Sequence, residues 1–112
     1  MKILLTGVTG YIGKRLLPDL LSEGHEVICL VRDPRRFSVN ENFKEQITVL
    51  KADLLDPNSL KAIPTNIDAA YYFVHSMGST GKDFSSLEEQ CALNFTEALD
   101  NTSAKQIIYL SG

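Results

Sequence analysis

Tryptophan is missing from the 112 residues, cysteine and histidine occur twice each, and basic residues do not outnumber acidic ones. Each scarcity closes off a class of protein. Cys29 and Cys91 have no CxxC spacing and stand in apolar surroundings, so both read as buried thiols. Neither His25 nor His75 has a second His or Cys at ligand spacing, so no metal site is expected. Eleven Lys and Arg against fourteen Asp and Glu give a formal charge of -3, without the basic excess that nucleic acid asks for. No apolar run is long enough for a signal h-region or a membrane span, and the expected location is the cytoplasm, with no membrane partner. Repeats and low-complexity segments are also lacking. With 44% apolar and 22% charged residues the composition is that of an ordinary globular protein. A chain of this length holds one core, so residues 1-112 read as one domain.

Short apolar runs rich in β-branched residues recur at Ile3 to Leu5, Val27 to Val31, Ile47 to Leu50, Ala69 to Val74 and Ile107 to Leu110. They are nearly continuous instead of alternating, the pattern of strands buried on both faces of a parallel sheet. Between the first two, Ile12, Leu16, Leu17, Leu20 and Leu21 share a helical face, and Gly24 stops it. Pro18 falls inside that helix, removing one backbone hydrogen bond at a cost of roughly 3 kcal/mol, and a kink rather than a break is expected. Asp56-Pro57 reads as an N-cap with proline at the first position of a short helix that Pro64 closes. Phe84, Leu87, Cys91, Phe95 and Ala98 form a longer amphipathic helix, with Asp83, Ser85 or Ser86 as its cap and Glu88 and Glu89 placed for a capping box. Residues 33 to 46 and 76 to 82 read as loops. The sum is an α/β fold, a doubly wound parallel sheet of five strands in the order 3-2-1-4-5. Its ligand crevice should lie where the order reverses, at the carboxyl ends of strands one and four.

The segment Thr6-Gly7-Val8-Thr9-Gly10-Tyr11-Ile12-Gly13 sits at that place. Gly7 can make the tight turn, Gly10 lets a pyrophosphate approach the backbone, and Gly13 lets helix pack on strand. Thr9, Gly10, Tyr11 and Ile12 line the mouth of the first helix, whose free N–H groups and partial positive charge favour an anion. A strand before the glycines and a helix after them supply the context that makes phosphate binding the expected function, against a purely structural turn.

With these residues on view, the chain resembles the extended and atypical branches of the short-chain dehydrogenase/reductase superfamily, the nucleotide-sugar-epimerase-like proteins. TGVTGYIG, Gly24-His25-Glu26-Val27, Leu30 to Pro34, Ala52-Asp53-Leu54 and Ile107 to Gly112 are similar to that family in the expected order, over the whole chain. The segment Ala70 to Gly78 is similar to an atypical subgroup of NAD(P)H-binding proteins. The resemblance implies a Rossmann-like fold and a dinucleotide cofactor, with an unknown small-molecule substrate. In NAD-using relatives an acid ends strand two; here Val31 stands at that position and Arg32 follows it. Asp33, at the spacing that tempts assignment as a ribose ligand, is off register. Arg32 can pair with a 2′-phosphate through its planar fork, and Arg35 and Arg36 can add positive field, so NADP is expected over NAD. The alternative is that these arginines are solvated loop charges.

The resemblance also implies that Asp53 accepts from the adenine amino group while Leu54 covers the ring; otherwise Asp53 caps a turn leading to Asp56. Val74, His75 and Ser76 should pass the ribose and nicotinamide side of the crevice, mainly through backbone contacts. His75 is either a cleft-lining residue or a general acid or base. Asn94 is similar to a helix asparagine that supports the family active site, or else faces solvent. Ser111 marks where the family's catalytic serine region begins and is the candidate catalytic residue. The family's Tyr-x-x-x-Lys motif is absent: Tyr11, Tyr71 and Tyr72 have Arg15, His75 and Ser76 four residues on, and the sequence ends three residues after Tyr109. The expectation is therefore the N-terminal part of a longer NADP-dependent oxidoreductase or epimerase-like protein, or a minimal nucleotide-binding module that senses NADP without turnover. An uncovered last strand leads to the further expectation of self-association.

Overall fold

A computed structural model describes residues 1–7, 11–38, 41–74 and 82–111 of the chain, without the side chains of 11–14, 36, 73–74, 82–88 and 110–111. The strands are β1 (Lys2–Thr6), β2 (Glu26–Val31), β3 (Ile47–Lys51), β4 (Ala69–Val74) and β5 (Gln106–Ser111), and the helices are α1 (Tyr11–Ser22) and α2 (Lys82–Leu99). All pair in parallel, in the order β3-β2-β1-β4-β5. The sheet is the one expected from the apolar runs.

Alternate residues of the central strands enter two separate cores, which is why those runs carry no polar positions. Leu4, Ile28, Leu30, Ala70 and Tyr72 face Phe95 and Leu99 of α2. Ile3, Leu5, Val27, Cys29 and Val31 face Leu20 and Leu21 of α1. Each fully buried Leu or Ile contributes about 1.5–3 kcal/mol relative to exposure, so the two faces together hold the strands in one register. Burial also pushes the Cys29 thiol up to about 12. Cys91 departs from expectation: it is half-buried, because it lies at the flank of the α2 stripe centred on Phe95.

Helix α1 runs unbroken through Pro18. It ends in a paired cap in which His25 N–H donates to Leu20 O at 3.2 Å and Gly24 N–H to Leu21 O at 3.0 Å, with Gly24 at φ +86°. Two local expectations are corrected. The helix expected from Pro57 is a single 3₁₀ turn, Ser59–Ala62, capped at Asn58 with no side-chain bond, because Asp56 is spent on the turn before it: its Oδ1 accepts from Asn58 N–H at 3.1 Å. Helix α2 begins at Lys82, so Asp83, Ser85 and Ser86 lie inside it and cannot be its cap. The stretch from 33 to 46 also holds two 3₁₀ turns, Pro34–Arg36 and Glu41–Phe43. Among the described residues no helix is long and apolar enough to cross a membrane.

Candidate functional site

Parallel pairing brings the carboxyl ends of β1, β2 and β3 to one edge of the sheet, and the order reverses between β1 and β4. Strand β1 pairs with β4 from Ile3 to Leu5, and the buried Thr6 adds a hydrogen bond from Oγ1 to Tyr71 O at 3.2 Å. Beyond that bond the two strands part: Gly7 turns at φ +69°, a left-handed conformation that glycine adopts without cost, while β4 runs on beside β5 to Val74. Helix α1 opens four residues after Gly7, with Tyr11, Ile12 and Gly13 as its first residues. The turn, the parting strands and the helix start are the parts that a pyrophosphate site requires. Thr9, Gly10, His75 and Ser76 lie outside the described residues.

At the end of β2, Val31 is buried and Arg32, the next residue, is exposed. Asp33 faces away from any ribose role. Its Oδ1 accepts from Arg35 N–H and from Arg35 Nε, both at 3.1 Å, capping the turn Pro34–Arg36. This pair also occupies Arg35, leaving Arg32 as a cation with no ion-pair partner among the described residues. An unpaired guanidinium at the tip of β2 and a committed carboxylate beside it make a place for an anion rather than for a hydroxyl.

Past the end of β3, the turn from Ala52 to Asp56 is held from several sides. Ala52 N–H donates to Val31 O at 2.9 Å, tying it to β2. Asp53 N–H donates to Ser59 Oγ at 2.9 Å, and the Ser59 hydroxyl lies 2.7 Å from Asp56 O. Asp53 Oδ1 accepts from Leu55 N–H at 2.9 Å, so the turn-capping role weighed for Asp53 is present, and Oδ2 is left over. Leu54 is half-buried against the core under α2. From that helix the buried Asn94 donates through Nδ2 to Leu54 O at 2.7 Å. Asn94 therefore does not face solvent, and it supports this turn. Sequence reasoning missed Ser59 and Gln90, which completes the set by donating to Asn94 Oδ1 at 2.7 Å. The signal for Gln90 was its spacing of four residues from Asn94 on one helix. Val74 and Ser111 are register partners at the carboxyl ends of β4 and β5.

The fold and this edge define a dinucleotide-binding domain, and the comparisons agree. The chain belongs to the NAD(P)H-binding family, whose model matches residues 7–112. It is 32% identical over 96 residues to an uncharacterised protein of Saccharomyces cerevisiae, covering 84% of this chain and 30% of that one. Among solved structures, vestitone reductase from alfalfa superposes with a TM-score of 0.77 at 24% identity, over 96% of this chain and 35% of that chain. Triphenylmethane reductase of Citrobacter sp., complexed with NADP(H), superposes at 0.75 and 20% identity, over 97% and 36%. These likenesses show the fold, and they bear out the resemblance to the extended dehydrogenase/reductase branch. The chain spans about a third of the length of the proteins it matches.

Proposed function

We propose that this NAD(P)H-binding domain is NADP-preferring and serves a reductase or epimerase-like enzyme. The carrying observation is at the end of β2, where Arg32 is exposed and without an ion-pair partner among the described residues while Asp33 is held by Arg35. The turn at Gly7 and the start of α1 receive the pyrophosphate, with Thr9, Gly10, Tyr11, Ile12 and Gly13 around it. Arg32 pairs with the 2′-phosphate. Asp53 offers its free oxygen to the adenine amino group, and Leu54 covers the ring. Val74, His75 and Ser76 line the nicotinamide side. When bound, the cofactor supplies hydride transfer, and this chain supplies its position and electrostatics. The reductases among the structural neighbours, one of them with NADP(H), support this reading over a sensing module without turnover.

Calorimetric titration of the chain with NADPH and NADH tests the preference. Tighter NADPH binding is expected, and equal affinities or tighter NADH binding would overturn the Arg32 assignment. Residues 1-112 act here as one dinucleotide-binding domain, the N-terminal part of a longer protein, in the cytoplasm. The same chain self-associates through the outer edge of β5, whose residues Gln106–Ser111 carry no charge.

A further inference from the structure

We propose that Asn94 is a positioning residue for the adenine end of the cofactor: its bond to the Leu54 carbonyl sets the Asp53–Leu54 turn in the shape that meets the base. The inference rests on the reading that Asp53 and Leu54 flank the adenine. Asn94 is 4% exposed and sits beside Phe95, which is fully buried. Asparagine is a poorer helix former than leucine, and a buried amide is costly unless both its ends are paired. Both ends are paired here, Nδ2 to Leu54 O and Oδ1 to Gln90 Nε2, each at 2.7 Å. What the amide gains over an apolar side chain is a grip on a backbone carbonyl 40 residues away in sequence.

The grip falls on the one peptide that the rest of the turn leaves free. Ala52 is tied to β2, Asp53 and Asp56 to Ser59, and Leu55 N–H to the Asp53 carboxylate. None of these bonds reaches the Leu54 carbonyl. Rotation of that peptide would move Asp53 Cα on one side and Leu55 N–H on the other, and the carboxylate is oriented by that same N–H. Asn94 blocks the rotation from α2. Gln90, exposed at the surface, decides which way the Asn94 amide faces, because an Oδ1 held by a donor leaves Nδ2 to point at Leu54 O.

A hypoxanthine base carries a carbonyl where adenine carries its amino group, so the affinity ratio of NADP⁺ to nicotinamide hypoxanthine dinucleotide phosphate reads the Asp53 contact. On the wild-type chain that ratio is expected to be about tenfold or more, the worth of a charged hydrogen bond. Asn94→Asp replaces the donor facing Leu54 O by an oxygen, and the ratio should fall towards one. Gln90→Glu is a surface change outside the binding residues. Its carboxylate accepts where Gln90 donated, draws the Asn94 amide round, and should lower the ratio in the same way. Gln90→Lys keeps a donor and should preserve it. Titrations are paired with thermal unfolding, since a general loss of stability weakens both nucleotides alike and leaves the ratio unchanged. Should Asn94→Asp fail to fold, Gln90→Glu decides. A wild-type ratio of one overturns the placement of adenine and the proposal with it. A high wild-type ratio that survives in folded Asn94→Asp or Gln90→Glu overturns the Asn94 role alone.

Discussion

A guanidinium and a carboxylate at the tip of β2 select different cofactors, and the neighbours of Arg32 and Asp33 set the two apart. Asp33 is bound to the backbone and side chain of Arg35, whereas Arg32 projects from the sheet edge after the buried Val31. Arg32→Ala is therefore expected to remove most of the NADPH preference, a loss of about 1–3 kcal/mol for charge-assisted bonds, while NADH affinity changes little. Calorimetry on both cofactors checks it, and an equal loss for both would point to a general change in the edge. Cys29 makes the second residue-scale prediction. Its thiol rises from 9.0 to about 12 in the folded chain through burial alone. Between those values the folded state binds more protons than the unfolded one, so the stabilisation is complete below pH 9 and drains away as pH climbs towards 12. Urea unfolding of wild type and Cys29→Ala from pH 8 to 11 should show a steeper alkaline decline in wild type. Parallel declines would deny the thiol its part. The register of Val31 and Arg32 was legible in the sequence because strand two is a run without gaps. The role of Asn94 was not, since its partner is a backbone carbonyl and carries no residue signature.

At the scale of elements, what could be read was what repeats and what could not was what caps. The five strands and both helices announce themselves through apolar periodicity, and α1 continues through Pro18 because Leu16, Leu17, Leu20 and Leu21 pack on either side of it. Starts of helices were misjudged where several Asp and Ser residues compete. Asp56 looked like a helix cap, but its carboxylate is taken by Asn58 N–H, and a 3₁₀ turn begins only at Ser59. Stops were clearer. Gly24 closes α1 at φ +86°, and a Cβ placed there would meet nothing within 4 Å. Gly24→Ala thus has no clash to relieve, and its cost is conformational, about 1–2 kcal/mol. Chemical denaturation should show that loss with an unchanged denaturant slope. A neutral or stabilising result would mean that the cap tolerates a shift of φ.

For the molecule as a whole, the two edges of the sheet differ in how they meet water. The β3 edge carries Lys51 at its end and the exposed Thr48, with Lys44 and Glu45 just before it, so charge stands where another strand would have to approach. Strand β5 has no such guard. Gln106–Ser111 is uncharged, Ile107 and Ile108 are only half-buried, and Tyr109 is 52% exposed with its hydroxyl 3.1 Å from Thr96 Oγ1. Its backbone pairs with β4 on one side, and a parallel or antiparallel copy of the same strand can pair on the other. A C₂ arrangement of β5 against β5 satisfies both copies at once and leaves the nucleotide edge, at the carboxyl ends of β1 to β3, open to cofactor. The 112-residue chain is accordingly expected to gain mass with concentration in light scattering, and Ile108→Lys to hold it monomeric without lowering NADPH affinity. The same samples should oxidise NADPH against simple carbonyl compounds at a negligible rate, because no Tyr-x-x-x-Lys pair occurs in the sequence to exchange the proton. A chain that stays monomeric across the concentration series, or one that turns over steadily, would contradict the edge or the proton argument respectively, and the two readouts fail independently.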